Sequence, residues 1–321
     1  MLALAADNLL SPIVLSFVLG LLAALARSDL SIPEAVAKGM SIYLLFAIGF
    51  KGGVSVADHG LDLTLGMTLL SGIILSFALP ILAFGMLRVL SGMSRTDAAA
   101  VAGHYGSISI VTFVAATSVL SDAGIVFEGY MVAVAAAMEA PAILSALWLI
   151  SRGQGGADMG GDLWREILLN GSIVLLLGAF AIGAITGQEG LEKIASFIVN
   201  PFQGVLCLFL LDMGLIAGRG LREARVLDRG AIAFGVLMPV VSATLGLGVG
   251  LLLGLSTGGV VLLMVLSASA SYIAVPAAMR VAVPEANPSI YLTLSLAITF
   301  PFNLTLGIPL YLSVAQMMTG G

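Results

Sequence analysis

Gly103-His104-Tyr105-Gly106-Ser107-Ile108-Ser109 and Ser267-Ala268-Ser269-Ala270-Ser271-Tyr272 are the two stretches on which the reading of this chain turns. Each interrupts a long apolar run with small and hydroxyl residues. Lipid offers no partner for a freed N–H or C=O group, so a helix breaks inside a membrane only where the break lines a cavity. Ser107 aligns with Ser269, and Ser109 with Ser271, at a constant offset of 162 residues. Two breaks at matched positions predict two related halves.

The surrounding composition fits that frame. Of the 321 residues, 60% are apolar and 10% charged, against about 25% charged in an ordinary soluble domain. Too few polar side chains are present to coat a water-soluble enzyme. A disordered chain is excluded by the same figures. The apolar runs are long and unbroken, unlike the short alternating strands of a membrane β-barrel. With about 20 residues per crossing, ten spans are expected, over 9–26, 33–51, 61–90, 98–120, 126–150, 165–186, 191–218, 231–255, 258–283 and 289–318. The formal net charge is −5, and no basic patch points to nucleic acid. Cys207 is the only cysteine and reads as a packing residue. No HExxH or CxxC spacing and no nucleophile–base pair is visible, so neither an enzyme nor a cofactor is expected.

The expected organisation is all-α and polytopic, with two inverted five-helix repeats. The first covers 1–150 and the second 165–321, joined by a Gly-rich cytoplasmic linker at 151–164. When loops are assigned alternately to the two sides, eleven basic residues fall on one side. Only Lys51 and Lys193 fall on the other, which accounts for all 13. Positive charge stays cytoplasmic, so both termini are expected outside the plasma (inner) membrane. Ala47–Gly53 resembles Asp212–Gly218 at an offset of 165. Gly106–Ser109 pairs with Ala268–Ser271, and Ala115-Ala116 with Ala277-Ala278, at 162. Glu139-Ala140-Pro141 roughly matches Thr299-Phe300-Pro301. An odd number of spans per half inverts the second copy, which is the plan of many secondary transporters.

Breaks in the fourth and ninth spans near the midplane would turn two half-helix N-termini toward one another. Such ends carry partial positive charge and free N–H donors, which suits a small anion. The candidate anion-binding residues are therefore Gly106, Ser107, Ser109, Ser269 and Ser271. Tyr272 either caps the site with its hydroxyl or fills it with its ring. Glu139 is a carboxylate in an apolar run close to Pro141, and is read as a Na+ or H+ coupling site or as a satisfied structural carboxylate. Asn303 is a candidate for cation or substrate contact. His104 is a proton switch or a hydrogen-bonded structural residue. Asp212 is read as a helix–helix hydrogen-bonding group, and Arg280 as a complement to a helix C-terminus or the cytoplasmic surface. The basic Arg219–Arg229 loop is read as solvated, or as a docking point for a regulatory partner or anionic lipid.

Several motifs carry a family likeness. Gly258-Gly259-Val260-Val261, Ser267–Ser271, Arg280, Pro284-Glu285-Ala286-Asn287-Pro288-Ser289 and the stretch from Ala297-Ile298 to Gly307-Ile308-Pro309 resemble the sodium-dependent bicarbonate transporter family known from cyanobacteria. Pro33-Glu34, Gly49–Gly53, Gly103–Thr112 and Glu139–Pro141 resemble the first half of the same family. The resemblance implies a core domain of spans three to five and eight to ten, holding the anion and Na+ between broken spans four and nine. It also implies a gate or scaffold domain of spans one, two, six and seven, and a homotrimer in the lipid bilayer. This chain departs from the family at Tyr272, where cyanobacterial members carry an acidic residue, and at Glu139, where they carry aspartate. Its linker is short where theirs is long and regulatory. The expected function is Na+-coupled bicarbonate uptake by elevator-like alternating access. The alternatives are Na+- or H+-coupled transport of another small monocarboxylate, or an anion-binding sensor that does not transport.

Overall fold

Helix starts follow directly from local chemistry. The computed structural model describes residues 10–59, 63–151, 171–223, 227–272, 275, 276, 278, 279 and 283–320. The first helix, α1 (Pro12–Leu25), opens with Pro12 after Ser11, whose hydroxyl accepts the Val14 N–H; proline is pre-set for that position and serine satisfies an orphan donor. Its end is a left-handed cap at Arg27 (φ 61°), with Ser28 N–H donating to Ala23 C=O. There follow α2 (Glu34–His59), α3 (Leu63–Leu90), α4 (Arg95–His104), α5 (Ile110–Asp122), α6 (Met131–Ala137) and α7 (Glu139–Ser151). The second half comprises α8 (Gly171–Ile198), α9 (Phe202–Glu223), α10 (Arg229–Leu252), α11 (Thr257–Ala268) and α12 (Pro288–Thr319). Ser94 caps α4 and Ser256 caps α11 in the same way, each accepting the N–H three residues on.

Among the described residues the chain is all helix, with no strand. Seven stretches are long and apolar enough to cross a membrane: 34–57, 63–90, 131–150, 174–198, 202–222, 229–252 and 288–319. Three shorter apolar helices, α1, α5 and α11, fall at other expected spans. Thr186–Gly190, read as the polar break between the sixth and seventh spans, interrupts α8 at Gly187 (φ 58°, ψ −155°), where two helices join. Helix resumes to Ile198, held on its exposed face by the Lys193–Glu189 pair at 2.7 Å. Beyond Gly187 the chain runs back along α2, where the Tyr43 hydroxyl donates to Phe197 C=O at 2.7 Å, and a second turn follows at 199–201. The 152–164 part of the linker, Arg225, Ala277 and Arg280 lie outside the described residues.

Two helix pairs pack by backbone approach. A methyl group on Gly20 of α1 would lie 2.0 Å from Leu211 C=O of α9, and one on Gly214 would lie 2.1 Å from Phe17 C=O. The α2–α8 pair repeats the arrangement: Gly53 against Phe180 C=O at 1.9 Å and Gly183 against Phe50 C=O at 2.1 Å. Small residues allow such contact, which in lipid replaces the missing hydrophobic drive. The other helices gather around α3, α4, α5, α10, α11 and α12, with α10 packed along α11 and α3 against α7. Outward, α1 presents Leu15, Leu19, Leu22 and Leu25, and α8 presents Val174, Leu177, Ile182 and Ile185, all exposed. Faces of this kind belong in a membrane.

Two prolines shape the interior. Pro80 in α3 and Pro239 in α10 each lack the N–H that would bond the carbonyl four residues back. The carbonyls thereby released are those of Ser76 and Gly235. In α12, π-helical winding over Thr293–Thr299 and Asn303–Gly307 flanks the segment Phe300–Phe302, which contains Pro301.

Candidate functional site

The Gly103–Ser109 and Ser267–Tyr272 stretches meet in space. Helix α4 ends at His104, α5 begins at Ile110, and α11 ends at Ala268. The extended segment after α11 runs against the segment between α4 and α5. Ser109 N–H donates to the Ser269 hydroxyl at 2.9 Å, and Ser271 N–H donates to the His104 carbonyl at 2.8 Å. The His104 Nδ1 hydrogen-bonds the Ser271 carbonyl. A carbonyl only accepts, so the imidazole proton sits on Nδ1. The ring also stacks on Tyr291, with centroids 4.6 Å apart. His104 is thus a double clamp between the segments, while its Nε2 is buried without a partner among the described residues.

Each serine has a distinct task. The Ser109 hydroxyl caps α5, accepting from Thr112 N–H at 3.3 Å and from the Thr112 hydroxyl at 2.9 Å. The Ser269 hydroxyl donates to Leu266 C=O at 3.0 Å while accepting from Ser109. The Ser271 hydroxyl accepts from Val275 N–H at 3.5 Å. Ser107 breaks the pattern. At an offset of 162, the partner equivalent to Ser109 N–H on Ser269 would be Ser271 N–H on Ser107. Ser271 N–H goes to His104 instead, and the fully buried Ser107 hydroxyl has no partner among the described residues. The Tyr272 hydroxyl is likewise buried without one. Its phenol approaches Ser109, outside hydrogen-bonding geometry, and its ring packs edge-on against Phe300 at 5.6 Å.

Gly106 serves the site through packing. A methyl group there would lie 2.3 Å from the Pro80 ring and 2.6 Å from the freed Ser76 carbonyl. The segment between α4 and α5 is seated on the proline of α3.

Asn303 joins the site from α12. Its Nδ2 donates to Ala268 C=O at 2.9 Å, satisfying the last turn of α11, and its Oδ1 accepts from Tyr311 at 2.9 Å. Glu139 heads α7, directly after Met138, whose carbonyl accepts the Ser76 hydroxyl. One oxygen of this buried carboxylate, Oε2, has no partner among the described residues. Asp212 is buried in α9, with Arg219 two turns on as its charged neighbour. Among the described residues no three His, Cys, Asp or Glu side chains gather as metal ligands do.

Sequence reasoning missed one polar chain. The Tyr105 hydroxyl bonds Thr299 Oγ1 at 2.6 Å, and Thr299 donates onward to Gly235 C=O at 2.7 Å. This is the carbonyl that Pro239 leaves open. A proline inside an apolar span always frees a carbonyl one turn back, and that was the available signal.

Further swapped contacts surround the crossing. Glu128, following α5, accepts from both Ser256 N–H and the Ser256 hydroxyl at the start of α11. Asn287, preceding α12, donates its N–H to Asp97 at the start of α4 at 2.8 Å.

The chain was also compared with known proteins. The sequence profile of the Na+-dependent bicarbonate transporter superfamily matches residues 12–316. No curated protein sequence matches the chain.

Proposed function

Because the chain belongs to the Na+-dependent bicarbonate transporter superfamily, we propose that it is a secondary active transporter that takes up bicarbonate with Na+ by alternating access. One observation carries the reading. Two helix interruptions cross, tie each other through Ser109–Ser269 and Ser271–His104, and leave the Ser107 and Tyr272 hydroxyls buried with no partner. A buried, unpaired hydroxyl is costly unless a ligand or water completes it. Here a small anion completes it. Ser107 and Tyr272 donate to the anion's oxygens, the first turn of α5 adds its open N–H groups, and no basic side chain is needed.

In this reading the ten spans form two inverted repeats, with α4–α5 and the ninth span as the broken pair. The reciprocal glycine contacts of α1–α9 and α2–α8 support the repeat, as do the matched serine caps and the swapped Glu128–Ser256 and Asp97–Asn287 contacts. The glycine contacts support equivalent roles for Gly53 and Gly214, a register of 161, one helical turn from the 165 suggested by the motifs alone. Helices α1, α2, α8 and α9 form the gate domain, and the helices bearing the crossing form the core that moves against it. Glu139, with its unpaired oxygen, is the proposed Na+ partner. Both termini face outward.

The experiment is uptake of labelled bicarbonate into liposomes holding the purified chain. Uptake that needs an inward Na+ gradient and stops when K+ replaces Na+ is expected. No accumulation under any Na+ gradient would remove the reading.

A further inference from the structure

A second anion site lies away from the serine crossing. Between α2, α5 and the turn leading into α9 is a cavity of about 540 Å3, lined by Lys51, Thr117, Ser121, Asn200, Phe202 and Gln203 among others. Lys51 is the only basic residue lining it. The Lys51 ammonium stands over the Phe202 ring, 4.6 Å from its centroid. It has no acidic partner among the described residues, where the one ion pair is Lys193–Glu189. Two carboxylates on adjoining segments are already engaged: Asp122 accepts from Gln203 at 2.9 Å, and Glu128 accepts from Ser256. The Asn200 side-chain amide is exposed and makes no hydrogen bond among the described residues.

A lysine within an apolar helix costs about 3 kcal/mol or more unless it reaches water or a counter-charge. This one reaches a cavity and meets an aromatic face, which orients an ammonium without neutralising it. The remaining charge attracts anions into the cavity. Thr117 is eight residues from Ser109 along α5, about 12 Å at the helical rise. The cavity is therefore separate from the crossing and shares a helix with it.

We propose that Lys51 and Asn200 bind a small monovalent oxyanion in this cavity, as a station ahead of the serine crossing. Binding itself is independent of the transport reading, whereas the role as a station rests on it. The ammonium supplies the charge and the amide N–H a directional donor, while the serine and threonine hydroxyls keep the wall polar.

The chain has three lysines, Lys38, Lys51 and Lys193, so site-resolved acetylation reads occupancy. Purified full-length protein is treated with a water-soluble acetylating ester in sodium bicarbonate, or in sodium gluconate at equal ionic strength. Modification at each lysine is followed by mass spectrometry. Bicarbonate at twice its dissociation constant is expected to slow acetylation of Lys51 about threefold, with Lys38 and Lys193 unchanged and the protection lost in Asn200→Leu. Equal rates at Lys51 in the two salts overturn the proposal. In liposomes, Lys51→Gln is expected to raise the KM for bicarbonate about fivefold with kcat retained, and Lys51→Arg to restore it; an unchanged KM in Lys51→Gln overturns the role as a station. Protection without Na+-driven uptake leaves the site standing and removes the transport reading. Uptake without protection removes this site alone.

Discussion

Ser109 and Ser269 are separated by 160 residues and joined by one hydrogen bond, from the main-chain N–H of the first to the hydroxyl of the second at 2.9 Å. That bond closes the crossing on one side. Its counterpart on the other side is left open at Ser107. The two serines therefore answer mutation differently.

Ser269→Ala strips a buried N–H of its acceptor, which costs about 1–3 kcal/mol. Ser107→Ala removes a hydroxyl that has no partner, so its melting temperature should stay within a degree or two of wild type while bicarbonate uptake falls at least about tenfold, roughly one strong hydrogen bond to an ion. Thermal unfolding and uptake, measured on the same preparations, separate the two. Wild-type uptake in Ser107→Ala would remove Ser107 from the anion site.

Gly106→Ala drives a methyl into the Pro80 ring and the Ser76 carbonyl. Overpacking of this kind costs about 1–3 kcal/mol. Trimming the ring with Pro80→Ala should recover part of that loss, so the double variant should be less destabilised than the sum of the singles. Strict additivity in thermal unfolding would show that the two residues do not press on each other.

Thr299 links Tyr105 to the carbonyl that Pro239 leaves free. Thr299→Val leaves both groups unsatisfied and should cost about 2–6 kcal/mol, the sum of two such penalties. Thr299→Ser keeps the hydroxyl and should hold most of the stability. In a Pro239→Ala background the Gly235 carbonyl regains its helical donor, so Thr299→Val should cost about half as much there. An undiminished cost would break the proposed link.

Gly53→Ala and Gly214→Ala place a methyl against a facing backbone carbonyl, 1.9 Å and 2.1 Å away. Both should lower the yield of folded protein sharply. Gly66→Ala and Gly178→Ala meet nothing within 4 Å and should be neutral or stabilising by up to about 1 kcal/mol, the helix-propensity difference. Similar melting temperatures across all four would show that these crossings tolerate separation.

Much of the fold was legible because membrane solvent imposes strong local rules. Apolar runs long enough to cross became helices, and glycine with serine inside such runs marked the gaps after His104 and Ala268. The same rule marked the break at Gly187 but not the further turn at 199–201, which carries only Val199, Asn200 and Pro201. At the site, Ser109, Ser269 and Ser271 stood out by residue type and matched spacing, and His104 by residue type alone. Gly106 was identifiable as special but not as a packing residue, because its neighbour Pro80 is on another helix.

Composition and the long apolar runs were thus enough to define an all-helical chain with several spans apolar enough to cross a membrane, since each run depends on residues near one another in the chain. Which hydroxyl is paired and which is left open could not be read that way. Ser107 and Ser269 look equivalent in sequence. They differ because His104, and not Ser107, takes the Ser271 N–H. The same holds for the Thr299–Gly235 bond and for the cavity beneath Lys51. Hydrogen bonds and cavities of this kind depend on positions fixed to within a few tenths of an ångström between residues far apart in the chain, and packing alone supplies that precision.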